Sequence, residues 1–507
     1  MPKFKSGESR NQMLLFPETI SDYIPEDHLA RLVLSIVSTL NIDTIISKFS
    51  NIGQKAYSPR ILLAILFYGY SIGIRSSRKL SKACEERVDF MYLTGKLHPS
   101  YKIISEFRRK NLSEISNLFQ EIILIGIKFG LVKIGNIKVS IDGTKIRANA
   151  SGKLSKDEQG LKKLLSDVKD KVTTILKEVE DIDQKEDSEF GDARGDELPK
   201  KLRQLKGRQE KIEDALQELK NEKAQLKNEL IEKKTTADKK GTLTKTEVKK
   251  IEAKKINITD HDAKFMKQHE GCIKTNYNAQ ASVDEENQFI VACDVTTECN
   301  DKKQLIPMVQ QTEENLGSKI DICKADSGYH SGDNLAIMSE NQIESFIDDP
   351  YKQRVDNDNF KYDKVNFQYD PDTDSYICPE GKILCLVKST ETNNIYKCKD
   401  CTECPVKLEC AKKAKFKQLS RGKHEHLIEK NRNALIGDEG RDEYKKRMHT
   451  VEPVFGNIKF NLGSWQFLLR GILKVKGEFN LMCIAHNIKK IARYCKKITV
   501  SLGVCLK

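Results

Sequence analysis

Apolar residues recur at helical spacing through most of the first 130 positions. Ser58-Pro59 precedes Ile61, Leu62, Ile65 and Leu66. Ser is a frequent helix N-cap, and Pro suits the first helical position because no N–H is needed there. The basic stretch Arg75-Ser76-Ser77-Arg78-Lys79-Leu80 follows. His98-Pro99-Ser100-Tyr101 reads as a turn, and Ile103 to Ile115 as a helix carrying Arg108, Arg109 and Lys110. Short helices joined by tight turns, the later ones basic, suit a helix-turn-helix-type DNA reader. An ordinary helical bundle with a charged rim would show the same pattern.

The period then changes. Ile137, Val139 and Ile141 alternate with polar residues, which predicts a strand over 136–150 that ends in Asp142-Gly143-Thr144. From 155 to about 255 the chain is dense in charge, and its apolar residues step by threes and fours. They run Leu161, Leu165, Val168, Val172, Ile175, Val179 and, past a break at Phe190-Gly191-Asp192, Leu198, Leu202, Leu205, Ile212, Leu216, Leu219, Leu226, Leu230. Heptad spacing on this scale predicts coiled coil, folded back as an antiparallel hairpin or paired between chains. Gln209 and Lys223 fall at seam positions and would weaken it. The charges read as a solvated helix surface.

Strand patterns return from 272. Tyr277 to Val283 and Phe289 to Val295 flank the polar turn Asp284-Glu285-Glu286-Asn287 and predict a hairpin. Lys302 to Leu316 reads as a helix and Ile320 to Ala325 as a strand ending in Asp326-Ser327-Gly328. Asn334 to Ile343 reads as a helix and Glu344 to Ile347 as a short strand. Residues 350–425 look loop-like and hold six Cys; from about 438 the chain is helical, with Leu481, Ile484, Ile488 and Ile491 on one apolar face.

Composition narrows the partners. The 507 residues carry 87 Lys plus Arg against 74 Asp plus Glu, a net charge of +13, which favours a polyanion. Nothing reaches the roughly 18 consecutive apolar residues of a membrane span, and the polar start Met1 to Gly7 lacks a signal-peptide core. The expectation is a cytoplasmic protein with mostly free thiols, in which a tight Cys cluster binds metal.

Two carboxylates, Asp142 and Asp326, each follow an apolar strand and precede Gly closely. Carboxylates at strand ends are placed to hold Mg2+, and two such ions run much phosphodiester chemistry; capping a turn is the plain alternative. Glu452 stands among Lys445, Lys446, Arg447 and Lys459, on an apolar helical stripe of Val451, Val454, Phe455 and Ile458. Basic residues around a carboxylate suit a phosphate backbone lying across a metal site, though helix-face ion pairs would account for them too. Pro453 must start or kink this helix. Cys398-x2-Cys401-x2-Cys404-x5-Cys410, with Cys378 upstream, suits tetrahedral Zn2+. Cys378, Cys401, Cys404 and Cys410 make one ligand set, with Cys398 as a substitute; iron–sulfur ligation and plain free thiols are the alternatives. Cys84, Cys272, Cys293, Cys323, Cys483 and Cys495 sit in apolar patterns expected in the core, as is Trp465, the sole Trp.

Several stretches, taken in order, resemble one family. They are Asn11 to Pro17, Ser105-Glu106-Phe107-Arg108-Arg109, Ser140 to Lys145, Gly271 to Gln280 and Ala325 to Tyr329. Further on come Thr450 to Gly456, Phe467-Leu468-Leu469-Arg470-Gly471 and Ala485 to Lys490. The chain resembles an insertion-sequence transposase of the DDE type with a ribonuclease H-like catalytic domain, over nearly all its length except the coiled coil. The resemblance implies a catalytic triad of Asp142, Asp326 and Glu452 holding Mg2+, with Mn2+ as a substitute. It implies double-stranded DNA as partner, both element ends and target, and at least a dimer when two ends are joined. It implies DNA contacts from Arg108, Arg109, Tyr444, Arg447, Lys459 and Arg470, and allows Trp465 a place stacking on DNA. The family spaces Tyr, two residues, Arg, three, Glu, six, Lys; here four residues separate Arg447 from Glu452.

The resulting expectation is a mixed α/β (α+β) chain. Residues 1–130 would form a helical DNA-binding region. Residues 131–154 and 256–349 would form the ribonuclease H-like core, with 155–255 an inserted coiled-coil hairpin. Residues 350–425 would be a Cys-rich insertion and 426–507 the helical end of the core. Metal-dependent strand cleavage and transfer, with binding of terminal repeats, is the function expected. A transposase-derived DNA binder without catalysis and a coiled-coil assembly protein are the rivals.

Overall fold

The computed structural model describes residues 19–49, 55–190, 200–235, 243–268, 271–401 and 403–502. The stretch Asn11 to Pro17, the glycine break at Gly191-Asp192, and Leu198 lie outside the described residues.

Among the described residues the N-terminal region holds seven α-helices: α1 (Leu29–Thr39), α2 (Asp43–Ile46), α3 (Pro59–Ser71), α4 (Ser77–Glu86), α5 (Val88–Thr94), α6 (Tyr101–Lys110) and α7 (Leu112–Lys128). Pro59 opens α3 as its composition predicts, and every residue from Leu62 to Ser71 is buried. The helix expected over Ile103–Ile115 is broken at Asn111, whose backbone leaves helical geometry. The Asn111 side-chain amide donates to the Phe107 carbonyl at 2.8 Å, capping the end of α6.

The first strands are β1 (Lys138–Arg147), β2 (Ser155–Lys156), β3 (Ile256–Asn257), β4 (Lys264–Lys267), β5 (Ile273–Asp284), β6 (Ile290–Thr296), β7 (Ile322–Ala325) and β8 (Glu344–Ile347). The main sheet runs β4-β5-β1-β7-β8, with β6 also on β5. β1 pairs antiparallel with β5 and parallel with β7, and β7 pairs parallel with β8. Between β6 and β7 lies α11 (Leu305–Leu316), and between β7 and β8 α12 (Gly332–Glu340); parallel neighbours need such crossovers. β1 does not end at Asp142. Its pairing with β5 continues from Asp142↔Ala281 to Arg147↔Asn276, so Asp142 sits in mid-strand.

Between β2 and β3 the chain leaves as an arm of two long helices, α8 (Glu158–Phe190) and α9 (Lys200–Thr235), followed by the short α10 (Lys245–Glu252). Lys223 pairs with Glu158 at 2.9 Å and Lys169 with Glu213 at 3.4 Å. The lower-numbered end of α8 thus faces the higher-numbered part of α9, and the two helices are antiparallel. Leu161, Val168, Val172, Leu202, Ile212, Ala215 and Leu219 form the arm's own apolar cluster. The polar seam residues find partners: Lys223 reaches Glu158, and Gln209 donates to Glu213 at 3.1 Å.

Residues 350–425, expected as loop, hold a second sheet. Its strands are β9 (Gln368–Asp370), β10 (Ser375–Ile377), β11 (Ile383–Ser389), β12 (Asn393–Cys398) and β13 (Gln418–Gly422), with α13 (Lys407–Cys410) inserted. The strands lie β13-β12-β11-β10-β9, all antiparallel. Its core is aromatic: Tyr369, Tyr376 and Tyr396 meet with centroids 5.1 to 6.2 Å apart. Asp374 ties the hydroxyls of Tyr369 and Tyr396 together. Strands this short, stabilised by Tyr, leave no clean apolar alternation to read.

The chain finishes with α14 (Glu425–Ile436), α15 (Asp438–Thr450), α16 (Glu452–Gly456), a π-helical turn over Asn457–Asn461, and α17 (Ile472–Leu502). All four residues of the predicted α17 face are buried. α17 packs against α3, α7 and β6, so one apolar core joins the N-terminal helices (Val33, Phe67, Ile122) to the sheet (Ile141, Tyr277, Val291). Gly126 permits this closeness, because a Cβ there would lie 2.7 Å from the Phe289 ring. Among the described residues no helix is long and apolar enough to cross a membrane. Cys272, expected in the core, is exposed on a turn, and Cys495 is only half-buried.

Candidate active site

Strand pairing brings the first two carboxylates together. Ile141 of β1 stands beside Ala325 of β7 in parallel register, so Asp142 and Asp326, one residue on, are neighbours on strands about 4.8 Å apart. The Gly143 N–H donates to Asp142 Oδ1 at 2.8 Å, and the Gly328 N–H to Asp326 Oδ1 at 2.9 Å, where Asp326 caps a 3-10 turn. Burial pushes the Asp142 carboxyl up to about 6; Arg447 opposes this, and Asp326 and Asp301 add to it. Asp326 is raised for the same reason, burial first.

The helical end of the chain supplies the third. Lys324, fully buried in β7, pairs with Glu285 and, at 2.7 Å, with Glu443 of α15. That fastens α15 over the sheet. Arg447, four residues after Glu443 and so on the same helix face, reaches Asp142 Oδ2 at 3.0 Å and Glu452 Oε1 at 3.9 Å. Glu452 opens α16 with Pro453 behind it, and its side chain is 53% exposed. Val451, Val454, Phe455 and Ile458, the predicted apolar stripe, are all buried and hold this segment down. The π-helical turn that follows carries Lys459 back to the Thr144 hydroxyl; such turns recur at functional sites.

Asp142, Asp326, Arg447, Glu452 and Lys459 line one cleft of about 880 Å³, with Arg147 and Lys274 as further cations on its wall. Trp465, expected in the core, is instead 48% exposed there, its ring edge-on to Phe460 at 4.4 Å. Two exposed aromatic rings in a cationic cleft can stack on bases. Asp301 is a residue that the chain's patterning did not reveal. Its Oδ1 accepts from Asn278 at 2.6 Å, Gln280 at 2.7 Å and Lys145 at 3.4 Å, and the buried Tyr329 hydroxyl donates to Gln280. Gly143 must be glycine beside this network, since a Cβ would fall 2.3 Å from Gln280 Nε2. Only the polar run Tyr277 to Gln280 hinted at it; Asp301 itself stands in an unremarkable turn.

The other expected contacts are dispersed. Arg108 is 4% exposed, donating to the Tyr70 hydroxyl at 2.9 Å and the Arg75 carbonyl at 3.0 Å. It braces the interior near the buried Glu478 rather than facing DNA. Arg109 is exposed. Tyr444 is half-buried beneath the Lys352 ammonium, 5.0 Å above its ring, and Arg470 is exposed with its Nε on the Asn149 carbonyl at 2.8 Å. Cys378, Cys398, Cys401, Cys404 and Cys410 border one void of about 20 Å³, and the Lys382 N–H donates to Cys378 Sγ at 3.3 Å. Among the described residues no three His, Cys, Asp or Glu converge closely enough to hold an ion, at the carboxylates or the thiols.

Residues 377–492 match the family model described as Transposase DDE domain, and residues 18–110 the model described as Transposase domain (DUF772). No curated protein and no solved structure matches the chain. The first match spans the segment with Arg447, Glu452 and Lys459, and the second spans α1 to α6. Both matches fall in their expected order and together support an insertion-sequence transposase of the DDE type.

Proposed function

We propose that the protein cuts the ends of its own mobile element and joins them to target DNA. The observation that carries this is the cleft itself, where Asp142 and Asp326 lie side by side on parallel strands and Glu452 enters from the matched C-terminal segment. Three antiparallel strands followed by two parallel ones, in the order β6-β5-β1-β7-β8, support a ribonuclease H-like core.

The donor atoms are those a hard divalent cation takes, carboxylate oxygen throughout and open to solvent at Glu452, although the three side chains do not converge on one point in this structure. Asp142, Asp326 and Glu452 would hold Mg2+ or Mn2+, which when bound would activate the attacking oxygen and stabilise the leaving one. The chain's own residues do the rest. Lys459, Arg147 and Lys274 hold the phosphate backbone along the cleft wall. Arg447 holds Asp142 in place and favours the charged form of its buried carboxylate. No Ser or Tyr nucleophile is needed, because water would be the attacking group in cutting and the freed 3′ hydroxyl in joining, with no covalent enzyme intermediate.

A second reading, DNA binding without cleavage, is favoured by one feature: Arg447 already supplies a positive charge 3.0 Å from Asp142. A labelled duplex carrying the element's terminal repeat, incubated with Mg2+, separates the two. The wild type is expected to nick it. Asp326→Asn is expected to bind equally and to cut more slowly by more than the ~10–100-fold seen for groups that merely support a metal ligand. Equal nicking by both proteins refutes the assignment.

A further inference from the structure

The segment carrying Glu452 has two faces. Glu452, Phe455, Gly456 and Lys459 look into the carboxylate cleft. Asn457 and Asn461, one turn apart, border a second pocket of about 200 Å³ on the other side. Its far wall is one turn of α17 bearing Lys489, Lys490 and Arg493. Among the described residues no carboxylate lines this pocket.

The wall gathers like charges. Burial, then the nearby Arg493, pushes the Lys489 ammonium down. The floor is His486, fully buried and held neutral by that burial, with all three cations reinforcing it. Its ring spans Asn457 Nδ2 at 3.0 Å and the Gln288 carbonyl at 2.9 Å. Gln288 is held in the left-handed region (φ +56°), which a non-glycine residue enters only where its surroundings enforce it. Its side chain donates to the His449 carbonyl at 2.6 Å and accepts from Lys490 at 2.7 Å. A strained residue bonded at three points, beneath clustered cations, is a rigid cationic seat.

We propose that this pocket binds a backbone phosphate of DNA, about 10–12 Å, one helix width, from the cutting cleft. Occupied, it would clamp the far side of the helix that aims Glu452, so a second point on the DNA would hold the third carboxylate in position. The proposal rests on the transposase reading for its ligand. Inorganic phosphate has the same chemistry and is the competing source.

The test is a salt titration of binding to a short duplex of arbitrary sequence, read by fluorescence anisotropy. Arg493 is exposed, so Arg493→Gln keeps the fold, and melting curves check Lys489→Gln. Each Gln variant is expected to reduce the slope of log K against log salt, by up to about 0.9 for each phosphate no longer neutralised. Lys489→Arg and Arg493→Lys are expected to keep the wild-type slope, as is Lys319→Gln, which removes an equal charge from a surface pair with Glu313. Unchanged slopes in both Gln variants overturn the pocket while leaving the transposase reading intact. Absence of duplex binding by the wild type overturns both. If inorganic phosphate raises the melting temperature of the wild type but not of Arg493→Gln, with duplex slopes equal, the pocket is a free-anion site and the DNA assignment fails.

Discussion

Two adjacent arginines on α6 show how far a residue's type can mislead without its depth. Arg108 and Arg109 both belong to a basic run, yet one is buried against Tyr70 and the other is exposed. Arg108→Ala is expected to lower stability by about 3 kcal/mol, because it removes a buried hydrogen-bonded charge near Glu478. Arg109→Ala is expected to leave the melting curve unchanged and to weaken DNA binding; denaturant curves and anisotropy on the same samples separate the two. Asp284, at the end of β5, is a second buried charge. Burial raises its carboxyl to about 6 from 3.8 while it accepts the Asn287 N–H at 2.9 Å. It therefore binds its proton more tightly folded than unfolded. Its contribution to stability is fully present below pH about 4 and is lost as pH rises through about 6. Asp284→Asn, which keeps an acceptor for Asn287, is expected to be more stable than wild type at pH 7.5 by up to about 3 kcal/mol, and equal to it near pH 4. Asp142 and Asp326 stood out as candidates because each follows an apolar run and precedes Gly closely, and Glu452 because basic residues surround it on an apolar stripe. Asp301, Lys324 and the burial of Arg108 were not, because each depends on partners distant in the chain.

At the scale of elements, periodicity served where the environment on each side was uniform. The hairpin of β5 and β6, the strand β8 and the face of α17 were readable because alternating or stepped apolar residues meet one continuous core. β1 extends past its readable half, since the rest is paired but lined by the polar cleft, and a polar lining hides a strand. The Tyr-based sheet of residues 368–422 escapes the pattern for the related reason that hydroxyl bonding to Asp374 replaces apolar alternation. The arm was legible as two helices, and its antiparallel sense came from ion pairs that spacing alone does not fix. Its root is the two-residue ladder in which Lys156 faces Ile256 and Ser155 faces Asn257. Facing residues in such a ladder have Cα atoms about 5 Å apart. Replacing residues 158–254 by a short Gly-Ser turn is therefore expected to leave the remainder folded, with about 1–2 kcal/mol lost from uncovering Ile256 and Ile258. Circular dichroism and a cooperative melt check it; loss of cooperative unfolding would show that the arm is integral to the core.

Considered whole, the molecule joins through its interior parts that its sequence presents one after another. Residues 1–130 were expected as a helical DNA-binding region, and the described helices from α1 to α7 share a single apolar interior with the carboxylate-bearing sheet through α17. Composition could not reveal this, because a helix facing its own bundle and one facing a neighbouring sheet show the same apolar stripe. No stretch of loose chain separates α7 from β1, only residues 129–137 with Leu131, Val132 and Ile137 buried. If the N-terminal helices meet DNA, as their sequence led us to expect, they and the carboxylates proposed to cut it are parts of one frame. The distance from the recognised sequence to the broken bond is then set by packing rather than by a tether, and the enzyme carries its ruler in its interior.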